Sequence, residues 1–234
     1  MKLFCLPYAG GSASIFAKWG PFIHPGVKLC PIELSGRGRR INESHYTSFD
    51  ELVTDVLLLI KDEIGRGKKY SFFGHSMGAA IVFEVVQCLY RSGFPGPEHV
   101  FFSGRGAPYI LAKEDKEYHK LSDTDFIAEI FKIGGTPKEL FQSTELKDFF
   151  LPLLRNDFRL IEEHNKIDKL MEPLKCDITV FIGKDEEFVP EQIDGWKNIT
   201  NNFCTVCYFN GGHFFINQEF KRVVQIINNT FFSA

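Results

Sequence analysis

The most constraining feature of this chain is a five-residue turn, Gly74-His75-Ser76-Met77-Gly78, set between two segments of different periodicity. Before it, Tyr70 to Phe73 reads as a short buried strand. After it, Ala79 to Arg91 reads as a helix closed by Gly93 and Pro95. In a G-x-S-x-G turn between strand and helix, the serine sits on strained backbone, so the residues two places to either side must lack side chains. The turn lifts the Ser76 hydroxyl above the sheet edge, and the helix that follows aims backbone N–H groups at the same point. This demands a strand and a helix in direct succession, which is the grammar of an α/β fold.

The rest of the chain repeats that grammar. Residues 2–7 and Val27 to Glu33 read as strands, and the first is ended by Pro7 and the glycines after it. Asp50 to Ile64 reads as a helix, with Leu52, Val56, Leu59, Ile60 and Ile64 at helical spacing and Ser48 or Asp50 as the cap. Val100 to Ser103, Ile178 to Ile182 and Thr205 to Phe209 read as further strands, Trp196 falls in a helix, and Gln218 to Asn228 forms a terminal helix. Strands alternating with helices predict a mostly parallel sheet covered on both faces. Between about 105 and 165 the alternation stops. The chain becomes charged and helical (Asp115-Lys116-Glu117, then Asp123 to Lys132), breaks at Gly134-Gly135-Thr136-Pro137 and resumes as a second amphipathic stretch. This segment reads as an insertion over the sheet, in the position of a lid.

Composition excludes several classes. A length of 234 residues suits one α/β domain, and 44% hydrophobic with 24% charged residues is ordinary for a packed core. A net charge of -3 gives no basic signature for nucleic acid, and Arg37, Arg39 and Arg40 are too few to change that. No apolar run approaches the roughly 20 residues of a membrane span. The N-terminus breaks at Pro7 and Gly10-Gly11 rather than forming a secretion signal, and Phe231-Phe232-Ser233-Ala234 matches no targeting signal. The 25 phenylalanines are expected to fill a core rather than line a channel, and Phe149-Phe150-Leu151 is read the same way. Most of the six cysteines lie in apolar runs, as buried free thiols do. Cys204-Thr205-Val206-Cys207 has redox-motif spacing, but on a strand its two sulfurs face opposite sides, so no metal site is expected. A reducing cytoplasm fits this usage.

Three further segments complete a chemistry around Ser76. Gly211-Gly212-His213 follows the last strand, where a general base can reach a serine hydroxyl from a loop. An acid should orient that imidazole and stabilise its charged form. The loop after Thr179 to Ile182 supplies three neighbouring carboxylates at Asp185, Glu186 and Glu187, and residue type alone does not choose between them. Negative charge developing on a tetrahedral intermediate needs donors already in place. One is the Met77 N–H; the other is expected from Pro7-Tyr8-Ala9-Gly10-Gly11, with Ala9 preferred and Tyr8 as the fallback.

Taken together, these motifs resemble a known family. Pro7-Tyr8-Ala9-Gly10-Gly11-Ser12-Ala13, Glu33-Leu34-Ser35-Gly36-Arg37-Gly38 and Phe73-Gly74-His75-Ser76-Met77-Gly78-Ala79 are similar to the type II thioesterases that accompany nonribosomal peptide and polyketide synthases, and to the medium-chain thioesterase of fatty acid synthase. Gly134-Gly135-Thr136-Pro137 with Leu140, Pro152-Leu153-Leu154-Arg155 with Asp157, Asp194-Gly195-Trp196 and Gly211-Gly212-His213-Phe214-Phe215 extend the match, in order, over nearly the whole chain. The resemblance implies an α/β-hydrolase fold in a single 1–234 domain, with a helical lid at about 105–160. It implies hydrolysis of acyl or aminoacyl groups from the phosphopantetheine arm of a carrier protein, in an editing or release role. It implies a monomer with no cofactor of its own, the phosphopantetheine belonging to the partner. Ser35 stands where the family usually has Pro. The family's catalytic Asp lies three residues after the loop glycine, which here is Glu186; Asp185, one earlier, is the alternative. An oxygen-ester hydrolase or lipase, an acyltransferase, and a non-catalytic carrier-binding protein are the rival readings.

Overall fold

Alternating side chains explain why six short segments join into one sheet with two dry faces. In the computed structural model, which describes residues 1–64, 67–108, 110, 116–135, 141, 143–167 and 171–232, the strands are β1 Lys2–Leu6, β2 Lys28–Pro31, β3 Tyr70–His75, β4 His99–Ser103, β5 Asp177–Gly183 and β6 Cys204–Phe209. They pair in parallel in the order β2-β1-β3-β4-β5-β6. Successive residues point to opposite faces. Phe4, Leu6, Phe72, Val100, Phe102, Ile178 and Val180 pack on one face with α1 (Phe49–Ile60) and α2 (Met77–Arg91). Leu3, Cys5, Phe73, Phe101, Phe181 and Phe209 pack on the other, with the 3-10 segment Ala13–Trp19 and the terminal helix.

Phenylalanine forms much of this core, as expected. On the second face Trp19 lies 4.8 Å from Phe73, and Phe181 lies 5.9 Å from Phe101 and 5.3 Å from Phe209, centroid to centroid. Such pairs add stabilisation beyond their buried area. Cys204 packs against the first face and Cys207 against the second, so the two sulfurs do face opposite sides of β6. All six cysteines are free thiols.

The element boundaries follow capping chemistry. Ser48, not Asp50, caps α1: its hydroxyl accepts from the Glu51 N–H at 3.1 Å, and α1 ends at Ile60 in a turn that still buries Ile64. α2 begins two residues earlier than expected, at Met77, because the turn leads straight into it. The lid contains α3 (Asp123–Ile133) and α4 (Thr144–Asn165), and α4 carries Pro152 in its interior and runs past the expected end near 160. Asp115, Thr136, Pro137, Leu140, Ser233 and Ala234 lie outside the described residues. α5 (Pro190–Asp194) leads into a 3-10 turn at Gly195–Asn198, so Trp196 lies in tighter helix than expected. The expected terminal helix is two pieces, α6 (Phe215–Gln218) and α7 (Phe220–Phe232). The segment Ala13–Trp19, which buries Phe16 and Trp19, was not read from the sequence. Among the described residues, no helix is long and apolar enough to cross a membrane.

Phe101→Ala should lower the unfolding free energy by about 3–5 kcal/mol, since Phe101 is fully buried in this aromatic face. Phe203→Ala, at a side chain 81% exposed, should change it by less than about 0.5 kcal/mol. Urea unfolding of the two variants beside the parent checks the contrast.

Candidate active site

The site residues all follow the C-terminal ends of strands. β2 lies on one side of β1, and every later strand lies on the other. The direction of sheet growth therefore reverses at β1 and β3, and the crevice outside strand ends at such a reversal is where open α/β sheets bind ligands. The Ala9 loop leaves β1 there, and Ser76 leaves β3.

Ser76 has φ +56° and ψ −116°, and among the described residues it is the one non-glycine residue with positive φ. Backbone of this kind costs about 1–3 kcal/mol and persists only where its surroundings impose it. The surroundings do so here. The Ser76 N–H donates to the Ser103 carbonyl at 2.8 Å, tying the turn to β4. A Cβ on Gly74 would lie 2.3 Å from the Gly78 carbonyl oxygen, and one on Gly78 would lie 2.3 Å from that of Leu6. Both glycines are required by close backbone approach. The contact of Gly78 with the end of β1 also brings the Pro7–Gly11 loop beside the start of α2. Met77 is the first residue of α2, so its N–H has no acceptor within the helix.

His213 and Glu186 meet directly. The His213 Nδ1 lies 2.7 Å from Glu186 Oε1, and the Gly183 N–H donates to the other carboxylate oxygen at 2.7 Å. An ionised carboxylate only accepts, so Nδ1 is assigned the proton and Nε2 is left as the ring acceptor. The acid turn also closes on itself, with the Glu186 N–H donating to Gly183 O at 3.2 Å. This fold-back accommodates the extra methylene of glutamate. Asp185 is exposed and contributes backbone: its N–H donates to Gly211 O at 3.1 Å, joining the acid loop to the histidine loop. Gly183 permits that approach, since a Cβ there would lie 2.6 Å from the Gly211 and Gly212 oxygens.

Ser76, Asp185, Glu186, Glu187 and His213 line one cavity of about 830 Å³, which extends from the sheet edge under the lid. Ala79, Ala80 and Phe83 of α2 give it an apolar side, and Lys116, Glu129 and Lys132 a charged one. Tyr8, Ala9 and Met77 are not among its wall residues. Met77 is buried directly after Ser76, and Ala9 packs between the sheet core and the lid cluster. The Tyr8 ring meets His75 edge-on at 5.8 Å and Phe214 at 4.9 Å. Phe149, Phe150 and Leu151 are not wall residues either: Leu151 is in the lid core, Phe150 packs against it, and Phe149 is exposed.

The sequence assigned no part to His75, the residue before the serine. It is fully buried, its Nδ1 lies 2.8 Å from Ser103 Oγ, and its ring centroid lies 5.1 Å from that of His213. Burial, and secondarily the neighbouring His213, push its pKa well below the ordinary histidine range, so it is a neutral wedge behind the turn.

The chain is similar to known thioesterases over nearly its whole length. The sequence model of the thioesterase domain family matches residues 1–231. Gramicidin S biosynthesis protein GrsT of Aneurinibacillus migulanus is 37% identical over 229 residues, covering 97% of this chain and 87% of the relative. Thioesterase PikA5 of Streptomyces venezuelae is 32% identical over 231 residues, covering 98% and 80%. Among solved structures, ClbQ from the colibactin NRPS/PKS pathway superposes with a TM-score of 0.89 at 33% identity, covering 98% of this chain and 95% of that one.

The His213–Glu186 bond makes a spectroscopic prediction. The parent should show a downfield ring N–H proton from His213 Nδ1 in one-dimensional NMR. Glu186→Gln should abolish or shift it strongly, and Asp185→Asn should leave it in place.

Proposed function

Because this chain belongs to the thioesterase family, we propose that it is a type II thioesterase that hydrolyses acyl or aminoacyl thioesters from the phosphopantetheine arms of carrier proteins, editing or releasing chains in nonribosomal peptide or polyketide synthesis. The observation that carries the reading is the His213–Glu186 pair sharing one cavity with a serine on a strained turn. GrsT, named for gramicidin S biosynthesis, and ClbQ, from the colibactin NRPS/PKS pathway, support the carrier-protein partner.

In the proposed reaction, His213 Nε2 takes the proton of Ser76 as Oγ attacks the thioester carbonyl carbon. Glu186 stays ionised and stabilises the imidazolium. The N–H groups of Met77 and Ala9 receive the developing oxyanion. The position of Met77 at the start of α2 and the packing of the Ala9 loop beside it support this pairing. The C–S bond breaks, the sulfur takes the proton from His213, and Ser76 is left acylated. His213 then takes a proton from water as the water oxygen attacks the ester. Collapse returns the proton to Ser76 and frees the carboxylic acid. Every step is proton transfer and acyl exchange, so the protein needs no cofactor of its own, and phosphopantetheine arrives on the partner. Six free thiols suit a reducing cytoplasm. We assign the whole of 1–234 to one catalytic domain acting as a monomer.

The test is hydrolysis of acetyl- and longer acyl-phosphopantetheinyl carrier protein beside the matching acyl-CoA and p-nitrophenyl esters. Carrier thioesters should be cleaved fastest. Faster cleavage of oxygen esters would favour a lipase-like esterase, and transfer of the acyl group to added alcohols or amines would favour an acyltransferase. Ser76→Ala should fold with an unchanged melting temperature and lose at least about 10⁴-fold in kcat. Full activity in that variant would remove Ser76 from the mechanism.

A further inference from the structure

Two motifs remain without a role: the Gly36-Arg37-Gly38 turn and Asp157 in the lid. They lie 120 residues apart in sequence and meet as a buried bidentate ion pair, Arg37 Nη1 to Asp157 Oδ2 at 2.7 Å and Nη2 to Oδ1 at 2.8 Å. The Arg37 side chain is 4% exposed and that of Asp157 is not exposed at all. Burial disfavours the guanidinium charge, but the charge and hydrogen bonds of Asp157, with Tyr46 and Glu33 behind them, together raise the Arg37 pKa.

The pair has a third member. The Gly10 N–H donates to Asp157 Oδ2 at 2.7 Å, and Arg37 Nη1 also reaches Gly11 O at 3.3 Å. Two consecutive residues of the loop that carries Ala9 are thus held, one by the carboxylate and one by the guanidinium. Gly10 has φ +73°, and a Cβ on it would lie 2.8 Å from a Leu154 methyl and 3.0 Å from the Phe150 ring. Phe150, Leu154 and Asp157 stand at i, i+4 and i+7, on one stripe of α4. The lid helix therefore presses an apolar pair and an anion onto this single turn. Within the turn the Gly11 N–H donates to Tyr8 O at 2.9 Å, and the Tyr8 ring and Ala9 pack on its sheet side, so Asp157 and Arg37 hold it from the lid side.

We propose that Asp157, held in register by Arg37, is a positioning residue that sets the direction of the Ala9 N–H, so that seating of the lid helix and competence of the oxyanion site are one event. This rests on the assignment of Ala9 as an oxyanion donor. Movement of α4 that separated Asp157 from the Gly10 N–H would release the loop, while Ser76, His213 and Glu186, which hang from β3, β5 and β6, would keep their places.

The experiment compares steady-state kinetics with the affinity of a trifluoromethyl ketone analogue of the acyl thioester, which forms a tetrahedral adduct on serine and so reports oxyanion stabilisation. In the parent, measurable thioester turnover and tight analogue binding are the premise; their absence would refute the function proposed above, not this inference. Asp157→Asn should lower kcat by about 10- to 100-fold, the scale of a small misplacement of catalytic groups. KM should change by less than about threefold, and analogue affinity should fall by the same factor as kcat. Should that variant not fold, Asp157→Glu keeps the charge opposite Arg37 while displacing the carboxylate from the Gly10 N–H, and should show the same parallel loss. A fall in kcat with unchanged analogue affinity of the folded fraction, or full activity in a folded variant, would overturn the proposal.

Discussion

The backbone of Ser76 is the point on which the rest of the structure depends. A serine at φ +56° is held there by a hydrogen bond to β4 and by two glycines whose neighbours leave no room for a Cβ. Because Gly78 touches the end of β1, the strain that raises the hydroxyl also draws the Pro7–Gly11 loop toward the start of α2. One local conformation thereby fixes the Ser76 backbone and brings the loop after β1 against the start of α2.

The same device recurs between β5 and β6. Gly183 lets the histidine loop lie against the acid turn, the Lys184 N–H ties that turn to the end of β6 and the Asp185 N–H to the histidine loop, and the Glu186 carboxylate bridges Gly183 and His213. Pre-organisation of this kind keeps donors and acceptors in place before charge develops, where reorganisation would otherwise add to the barrier. The sheet beneath supplies the rigidity. Its second face is an array of aromatic rings from Trp19 to Phe215, and well-packed interiors of this type deform little.

Much of this was legible in the residues because it is local. The strands, α1, α2 and the serine turn follow from periodicity and glycine spacing within windows of a dozen residues. The histidine followed from its place after the last strand. The acid did not follow from residue type. Asp185, Glu186 and Glu187 are equivalent as a string, and only the turn that folds Glu186 back on Gly183 separates them; resemblance to a family, not chemistry, gave Glu186 preference in the sequence. The 3-10 segment Ala13–Trp19 carries no strong period, and α4 passes through Pro152, a residue that ordinarily signals a helix end. The ion pair of Arg37 with Asp157 was invisible because it depends on how the lid seats, and nothing within either segment names the other.

Acylation of Ser76 is the step on which the proposed reaction turns. Its most direct test is rapid-quench mass spectrometry of the protein mixed with an acyl thioester, with peptide mapping of any adduct. A serine nucleophile at position 76 gives a burst of at most one equivalent of thiol per chain and an acyl mass on the peptide containing Ser76. Thiol release with no adduct under conditions where deacylation is slowed, or an adduct on a cysteine instead, would contradict it.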